Sequence, residues 1–342
     1  MKYLFILIFS LLFVSACSKD RKDSEQPKNE FASEQKELKK NTDVKNDKSV
    51  FLGRFTNGKL LIEDNRTYEK NALSWAKDTM ENYNKYIDYL KSVAKKYSSF
   101  KEEIQEYNFD KDLDEFNKLT TLKKGNKLYI STQSSVTPVE ITGFYMNFDD
   151  LIGSGIVFYA VADAGKLMLA DNDVVICTGN EKMSVFNTGK LNKKENSVLF
   201  KSVTSLMMKK AKDVKVKDET TGQDKYERVT SIDTNELIIF PGSFTSAGAK
   251  EYIAGYTKRQ SFDNFAYYII IVNDKGELVK VFSELVKDSF TYETIIGIVD
   301  INGDGIHEIL SEDGYYEGAG YNLHKFDGMG YNVITSGFFF GV

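Results

Sequence analysis

From Gly125 to the C-terminus the chain is written in short apolar runs separated by polar punctuation. The runs KLYIST, VEITGFYMNF, GIVFYAVAD, DVVICTG, NELIIFPG, EYIAGYT, FAYYIIIV, ELVKVFSE, ETIIGIV, HEILSE, YNLHKF and YNVITSGFFF are rich in β-branched and aromatic residues. That is the composition of half-buried strands. Clusters such as Asn273-Asp274-Lys275-Gly276 break them at hairpin spacing. The pattern predicts a mainly β body over residues 126–342, an antiparallel propeller-like or sandwich arrangement and not a parallel α/β sheet. The charged stretch Lys209–Arg228 interrupts it as a long exposed loop or an extended hairpin.

Upstream the apolar period changes. Leu73, Ala76, Met80, Tyr83, Ile87, Leu90, Ala94 and Tyr97 recur at spacings of three and four. This is one apolar stripe on a helix of about eight turns. Ala and Tyr at seam positions make a poor zipper, so the helix is expected to fold back onto the body through a shorter one carrying Leu113, Phe116 and Leu119. Residues 50–125 are therefore assigned to an N-terminal helical segment. Residues 18–49 have almost nothing apolar to bury and read as a disordered tether with a reach of roughly 30 Å.

The first residues read as an export signal. Lys2 precedes an apolar run from Tyr3 to Phe13, long enough for a signal-peptide core and too short to span a bilayer. Val14-Ser15-Ala16-Cys17 resembles the lipobox of bacterial lipoproteins. The resemblance implies removal of residues 1–16 and lipidation of Cys17, placing the protein in a bacterial cell envelope, at the outer membrane or cell surface. Two or more acyl chains on one residue hold a protein stably on a membrane. The remaining thiol, Cys177, then has no partner for an intramolecular disulfide and reads as a buried inert residue. The chain has 45 Lys and Arg against 50 Asp and Glu, and Lys2 alone lies in the leader, so the mature net charge is −6. A mildly acidic chain with no basic stripe argues against nucleic acid.

Candidate chemistry concentrates in VDINGDGIHEIL, Val299–Leu310. Asp300, Asn302 and Asp304 alternate, Gly305 permits a sharp turn, the Ile306 carbonyl adds a backbone oxygen, and Glu308 returns a carboxylate. Oxygen-only donors on a flexible loop suit Ca²⁺ in a structural role. His307, between ligand positions, is expected to point away. An EF-hand needs a bidentate glutamate at the twelfth loop position, which here is Ser311. The loop has a degenerate copy 57 residues earlier: ELIIFPGSFTSAGAKEYI lies over ETIIGIVDINGDGIHEIL without a gap. Gly248 matches Gly305 and Glu251 matches Glu308, while Ser243, Thr245 and Ala247 replace the chelating residues. Strand–loop–strand units of this size suggest a repeat architecture.

DINGDGIHE resembles the calcium loop of FG-GAP and VCBS-type repeats, found in integrin-α propellers and many exported bacterial proteins. The resemblance assigns ligand roles to Asp300, Asn302, Asp304 and Glu308, with a backbone ligand at Ile306. It implies a scaffold or binding face more often than a catalyst, with a protein or glycan as partner. Tyr315, Tyr316 and Tyr321 could supply a contact platform, although tyrosines are common in ordinary half-buried strands. The alternative is a surface enzyme acting on glycans, in which Glu312, Asp313 and Glu317 supply two carboxylates. No Gly-x-Ser-x-Gly elbow, phosphate-binding loop or His-Glu-x-x-His helix supports another chemistry.

Overall fold

The computed structural model describes residues 50–56, 58–63, 105–107, 122–149, 155–164, 167–210, 214–217, 224–227, 232–261, 264–315 and 318–341. Among these the fold is mainly β, with antiparallel pairing and one helix. All twelve apolar runs fall on strands. The leader, Cys17, the tether and the predicted helix over residues 67–97 lie outside the described residues, as do Leu113, Phe116 and Leu119.

The first structural unit is a closed barrel. Its strands are β1 (Val50–Thr56), β2 (Lys59–Glu63), β4 (Lys127–Ser131), β5 (Val136–Asp149), β6 (Gly155–Asp163) and β7 (Val174–Thr178), with β3 (Gln105–Tyr107) attached to β5. Pairing runs β1-β2-β6-β5-β4-β7 and returns to β1. Closure depends on β5, which pairs β4 through residues 136–140 and β6 through 141–149, with a register shift between Ile141 and Gly143. Such a bulge bends a strand so that it can serve two neighbours. Residues alternate across the wall: Phe51, Leu60, Ile62, Ile130, Ile141, Ala162 and Cys177 fill the interior. Leu52, Leu61, Val161 and Ile176 face outward. Cys177 is wholly buried, and burial pushes its thiol pKa up, which keeps it protonated.

The barrel corrects the assignment of residues 50–125. Val50–Glu63 is a hairpin of the β body, not part of a helical segment. The sequence carries its signal, since VFLGRFT and KLLIE alternate around Asn57-Gly58, a favoured two-residue hairpin turn. Gly58 adopts φ 79° there, a conformation open to glycine at little cost.

Two meanders follow, each hydrogen-bonded in chain order. One contains β10 (Leu237–Gly242), β11 (Glu251–Ser261), β12 (Asn264–Asn273) and β13 (Leu278–Ser289); the other contains β14 (Thr291–Val299), β15 (Glu308–Tyr315), β16 (Gly318–Phe326) and β17 (Tyr331–Gly341). They share a core that includes Phe240, Ile253, Ile269, Ile295, Ile298 and Ile309. The opposite face of β14–β17 packs on the outside of the barrel through Val299, Leu310, Leu323 and Phe338. The opposite face of β10–β13 is covered by α1 (Ser197–Lys210). The described residues thus form a barrel and two blade-like meanders, not a ring of propeller blades.

Helix α1 has no counterpart among the predicted elements. Its buried Phe200, Val203 and Met207 nevertheless recur at spacings of three and four, a readable helical stripe. The charged stretch after it contains a short hairpin, β8 (Val214–Lys217) with β9 (Asp224–Glu227).

Candidate metal loop and the neighbouring polar cavity

The loop between β14 and β15 is built around one carboxylate. Asp300, 8% exposed, accepts backbone N–H groups from Gly303 at 2.7 Å, Asn302 and Asp304 at 3.2 Å, and Gly305 at 2.8 Å. Gly303 and Gly305, at φ 75° and 82°, turn these amides inward. Asp304 accepts from the Ile306 amide at 2.8 Å and the Asn302 side chain at 2.8 Å. Glu308, 1% exposed, accepts the Ile301 amide on Oε2 at 3.0 Å. Its Oε1 is buried without a hydrogen bond; Lys325 Nζ lies 3.2 Å away, an ion pair by distance but off the hydrogen-bond axis.

The preceding copy repeats this frame without the chelating residues. Glu251 accepts the Phe244 and Thr245 amides on Oε2 at 2.6 and 2.9 Å, and the Thr245 hydroxyl on Oε1. Phe244 and Ile301 are 57 residues apart, as are Glu251 and Glu308. Each loop therefore closes with a buried glutamate on the same backbone amide. In place of Asp300 the first loop has Ser243, whose hydroxyl donates to the Ala249 carbonyl at 2.7 Å. His307 joins the loops: its amide donates to Ser243 O at 2.7 Å, and its Nδ1 accepts the Ser243 amide at 3.2 Å. The imidazole thus contacts the neighbouring loop.

The donor chemistry fits a hard cation: the candidate set is all oxygen, with Asp300, Asn302, Asp304 and Glu308 inside nine residues. Glu308 Oε1, which faces Lys325 Nζ at 3.2 Å, is an oxygen such an ion could use. Among the described residues no three His, Cys, Asp or Glu side chains already stand as a metal cluster. The loop's own amides hold its oxygens instead.

Tyr315 and Tyr321 do not share one platform. Tyr315 shares its strand face with Asp313, whereas Tyr321 pairs with Glu312 on the other face and packs towards the barrel. Tyr316 lies outside the described residues, as does Glu317. Glu312 and Asp313 likewise face opposite ways, because successive strand residues alternate. Glu312 accepts the Tyr292 hydroxyl at 2.7 Å.

Asp313 instead meets Glu293, its cross-strand partner. Beside them is a cavity of about 290 Å³ lined by Tyr267, Thr291, Tyr292, Glu293, Asp313, Gly314 and Tyr315. Burial, and then the Asp313 carboxylate, push Glu293 up to about 7. Asp313 is raised by burial, against the Asn322 and Ser311 hydrogen bonds that lower it. His324 Nε2 lies 3.4 Å from Glu293 Oε1 and 2.8 Å from Ser311 Oγ. Burial holds His324 down to about 4, so the contact with Glu293 is not an ion pair at neutral pH. Glu293 escaped the sequence reading because its pairing with Asp313 depends on the bulge between Ile295 and Gly297.

Comparison with protein-family models, with curated proteins and with solved structures finds no match to this chain.

A pH prediction follows from the buried carboxyls. Glu63 accepts the Phe338 amide at 2.6 Å where the barrel meets β17, and burial pushes it up to about 7 despite that bond and nearby Arg54. A carboxyl raised on folding contributes stability that is complete below its ordinary 4.5 and lost as pH rises through about 7. A lowered histidine acts oppositely, its contribution being lost as pH falls from 6.5 towards 4. Without calcium, between pH 8 and pH 6 Glu63, Glu293 and Glu308 together gain more than His324 gives up, a net of about 3 kcal/mol. Urea denaturation in chelator should therefore show greater stability at pH 6, with the difference roughly halved in Glu63→Gln. Equal stability at the two pH values would contradict this assignment.

Proposed function

We propose that the protein is an exported bacterial lipoprotein whose β body is a non-catalytic binding or structural module of the cell envelope, stabilised by calcium. The observation that carries this is the pair of equivalent loops. Both close with the same glutamate–amide bond, but only the second adds Asp300, Asn302 and Asp304. A loop that needed only to turn is sufficed by the first version; the added oxygens are chemistry for a cation. Asp300, Asn302, Asp304, Glu308 and the Ile306 carbonyl would hold Ca²⁺, which supplies positive charge to a site carrying three carboxylates. The β14–β15 hairpin lies between the barrel core and the core shared with β10–β13, so fixing its loop steadies both.

The likeness of DINGDGIHE to FG-GAP and VCBS-type loops supports a scaffold that presents a surface to a protein or glycan. Of the carboxylates named for the hydrolase alternative, Glu312 and Asp313 lie on opposite faces and Glu317 lies outside the described residues. Membrane attachment is assigned to Cys17 by the lipobox. Among the described residues no helix is long and apolar enough to cross a membrane.

Expression in a bacterium supplied with labelled fatty acid tests the anchor. The wild-type chain should incorporate label and fractionate with membranes, and Cys17→Ala should do neither. Undiminished labelling of the variant would refute lipidation at this residue.

A further inference from the structure

The cavity beside β14 and β15 has walls of two kinds, aromatic and anionic, and no Lys or Arg among its lining residues. Glu293 and Asp313 are opposite one another across the strand pair, which places their Cβ atoms roughly 5 Å apart. Glu293 Oε1 and Asp313 Oδ1 are both buried without a hydrogen-bond partner. The nearest nitrogen to Glu293 Oε1 in an ion-pair geometry belongs to His324, which burial keeps neutral. The hydrogen bonds Asp313 does receive come from uncharged groups, the Asn322 amide and the Ser311 hydroxyl. Two carboxylates are thus drawn out of water with no cation beside them. Unpaired buried charge is costly and favours either a proton or a bound cation.

The tyrosines favour the cation and indicate its kind. The Tyr267 hydroxyl is engaged by Ser283 and Thr291, and Tyr315 shares its strand face with Asp313. What these residues can offer the cavity is therefore ring surface. Aromatic faces beside carboxylates attract organic ammonium groups, whose charge is spread over a weakly hydrated, partly apolar surface. A bare metal ion would want further oxygen donors in place of rings. The volume, near the lower end of the range for small-molecule sites, limits the occupant to a few heavy atoms around the charge.

We propose that this cavity is a binding site for a small free organic ammonium ion, held by Glu293 and Asp313 and covered by Tyr267 and Tyr315. The site is separate from the 300–308 loop and does not depend on calcium. A phosphate-bearing headgroup is disfavoured because the lining has carboxylates and no basic residue to receive the phosphate.

Ligand-observed NMR of the full chain tests this with choline, with its neutral carbon isostere 3,3-dimethylbutan-1-ol, and with phosphocholine. Choline should bind saturably, in chelator as well as in calcium, and in Asp304→Ala as in the wild type. The isostere and phosphocholine should bind at least tenfold more weakly. Glu293→Gln and, independently, Asp313→Asn should each weaken choline tenfold or more, with circular dichroism confirming that each variant is folded. The proposal is overturned if choline shows no saturable binding up to about 10 mM, or if a folded Glu293→Gln or Asp313→Asn binds it as well as wild type. Equal binding of the isostere would overturn recognition of charge, and equal binding of phosphocholine would overturn the choice of a free cation over a headgroup. Loss of choline binding in Asp304→Ala or in chelator would overturn the site's independence from the metal loop.

Discussion

Glu251→Ala is expected to lower the stability of the β body by about 3 kcal/mol in urea denaturation, at any calcium concentration. Glu251 is 6% exposed, and its Oε2 takes the amides of Phe244 and Thr245. Alanine would leave both donors without that acceptor, the Phe244 amide in a setting water does not easily reach. A hydrogen bond to a charged group contributes about 1.5–3 kcal/mol net, and an orphaned buried donor costs a further desolvation penalty. Phe244 itself is wholly buried in the core between the meanders, and its carbonyl accepts the Tyr331 hydroxyl at 2.8 Å, so the loop cannot readily swing out to solvent. Glu251→Gln keeps one carbonyl oxygen for the amides and should cost less than half as much. Because this loop has Ser243, Thr245 and Ala247 where the other has chelating residues, calcium should change neither variant's deficit. An alanine variant within about 0.5 kcal/mol of wild type would show that the glutamate–amide closure is incidental.

That closure also shows which features the sequence could and could not disclose. The twelve strand runs were legible because each is a self-contained period-2 pattern. Their grouping into a closed barrel was not, since closure rests on long-range pairings such as Leu52 with Ile176 and Leu60 with Ala162. The hairpin through Gly58 and the stripe Phe200, Val203, Met207 were written in the sequence but overshadowed by longer patterns on either side. The candidate metal loop was readable because its oxygens lie within nine consecutive residues. Glu308 could not be recognised from sequence as the closing bond of its loop, because that role appears only when the Ile301 amide and its counterpart at Phe244 are seen in space. Glu293 and Asp313 stand twenty positions apart, and only the register of β14 on β15 brings them to one cavity.

Calcium dependence carries the second large effect. Asp300, Asp304 and Glu308 place three carboxylates in one short loop, with Lys325 as the cation beside Glu308. A bound ion relieves their mutual repulsion, and binding to the folded state alone stabilises by RT ln(1 + [L]/Kd). With the proposed export to calcium-rich surroundings a Kd on the order of 10⁻⁴ M is expected, so about 10 mM calcium gives about 2.7 kcal/mol. Asp304→Ala removes one carboxylate and the Ile306 amide's acceptor. It should abolish the calcium response, whereas Ser243→Ala, in the copy without chelating residues, should leave it intact.

Thermal melting of the wild-type protein in calcium and in excess chelator is the most direct test of the account. A transition several degrees higher in calcium, lost in Asp304→Ala and kept in Ser243→Ala, is the predicted result. Identical melting temperatures in calcium and chelator, or a full calcium response in Asp304→Ala, would contradict it.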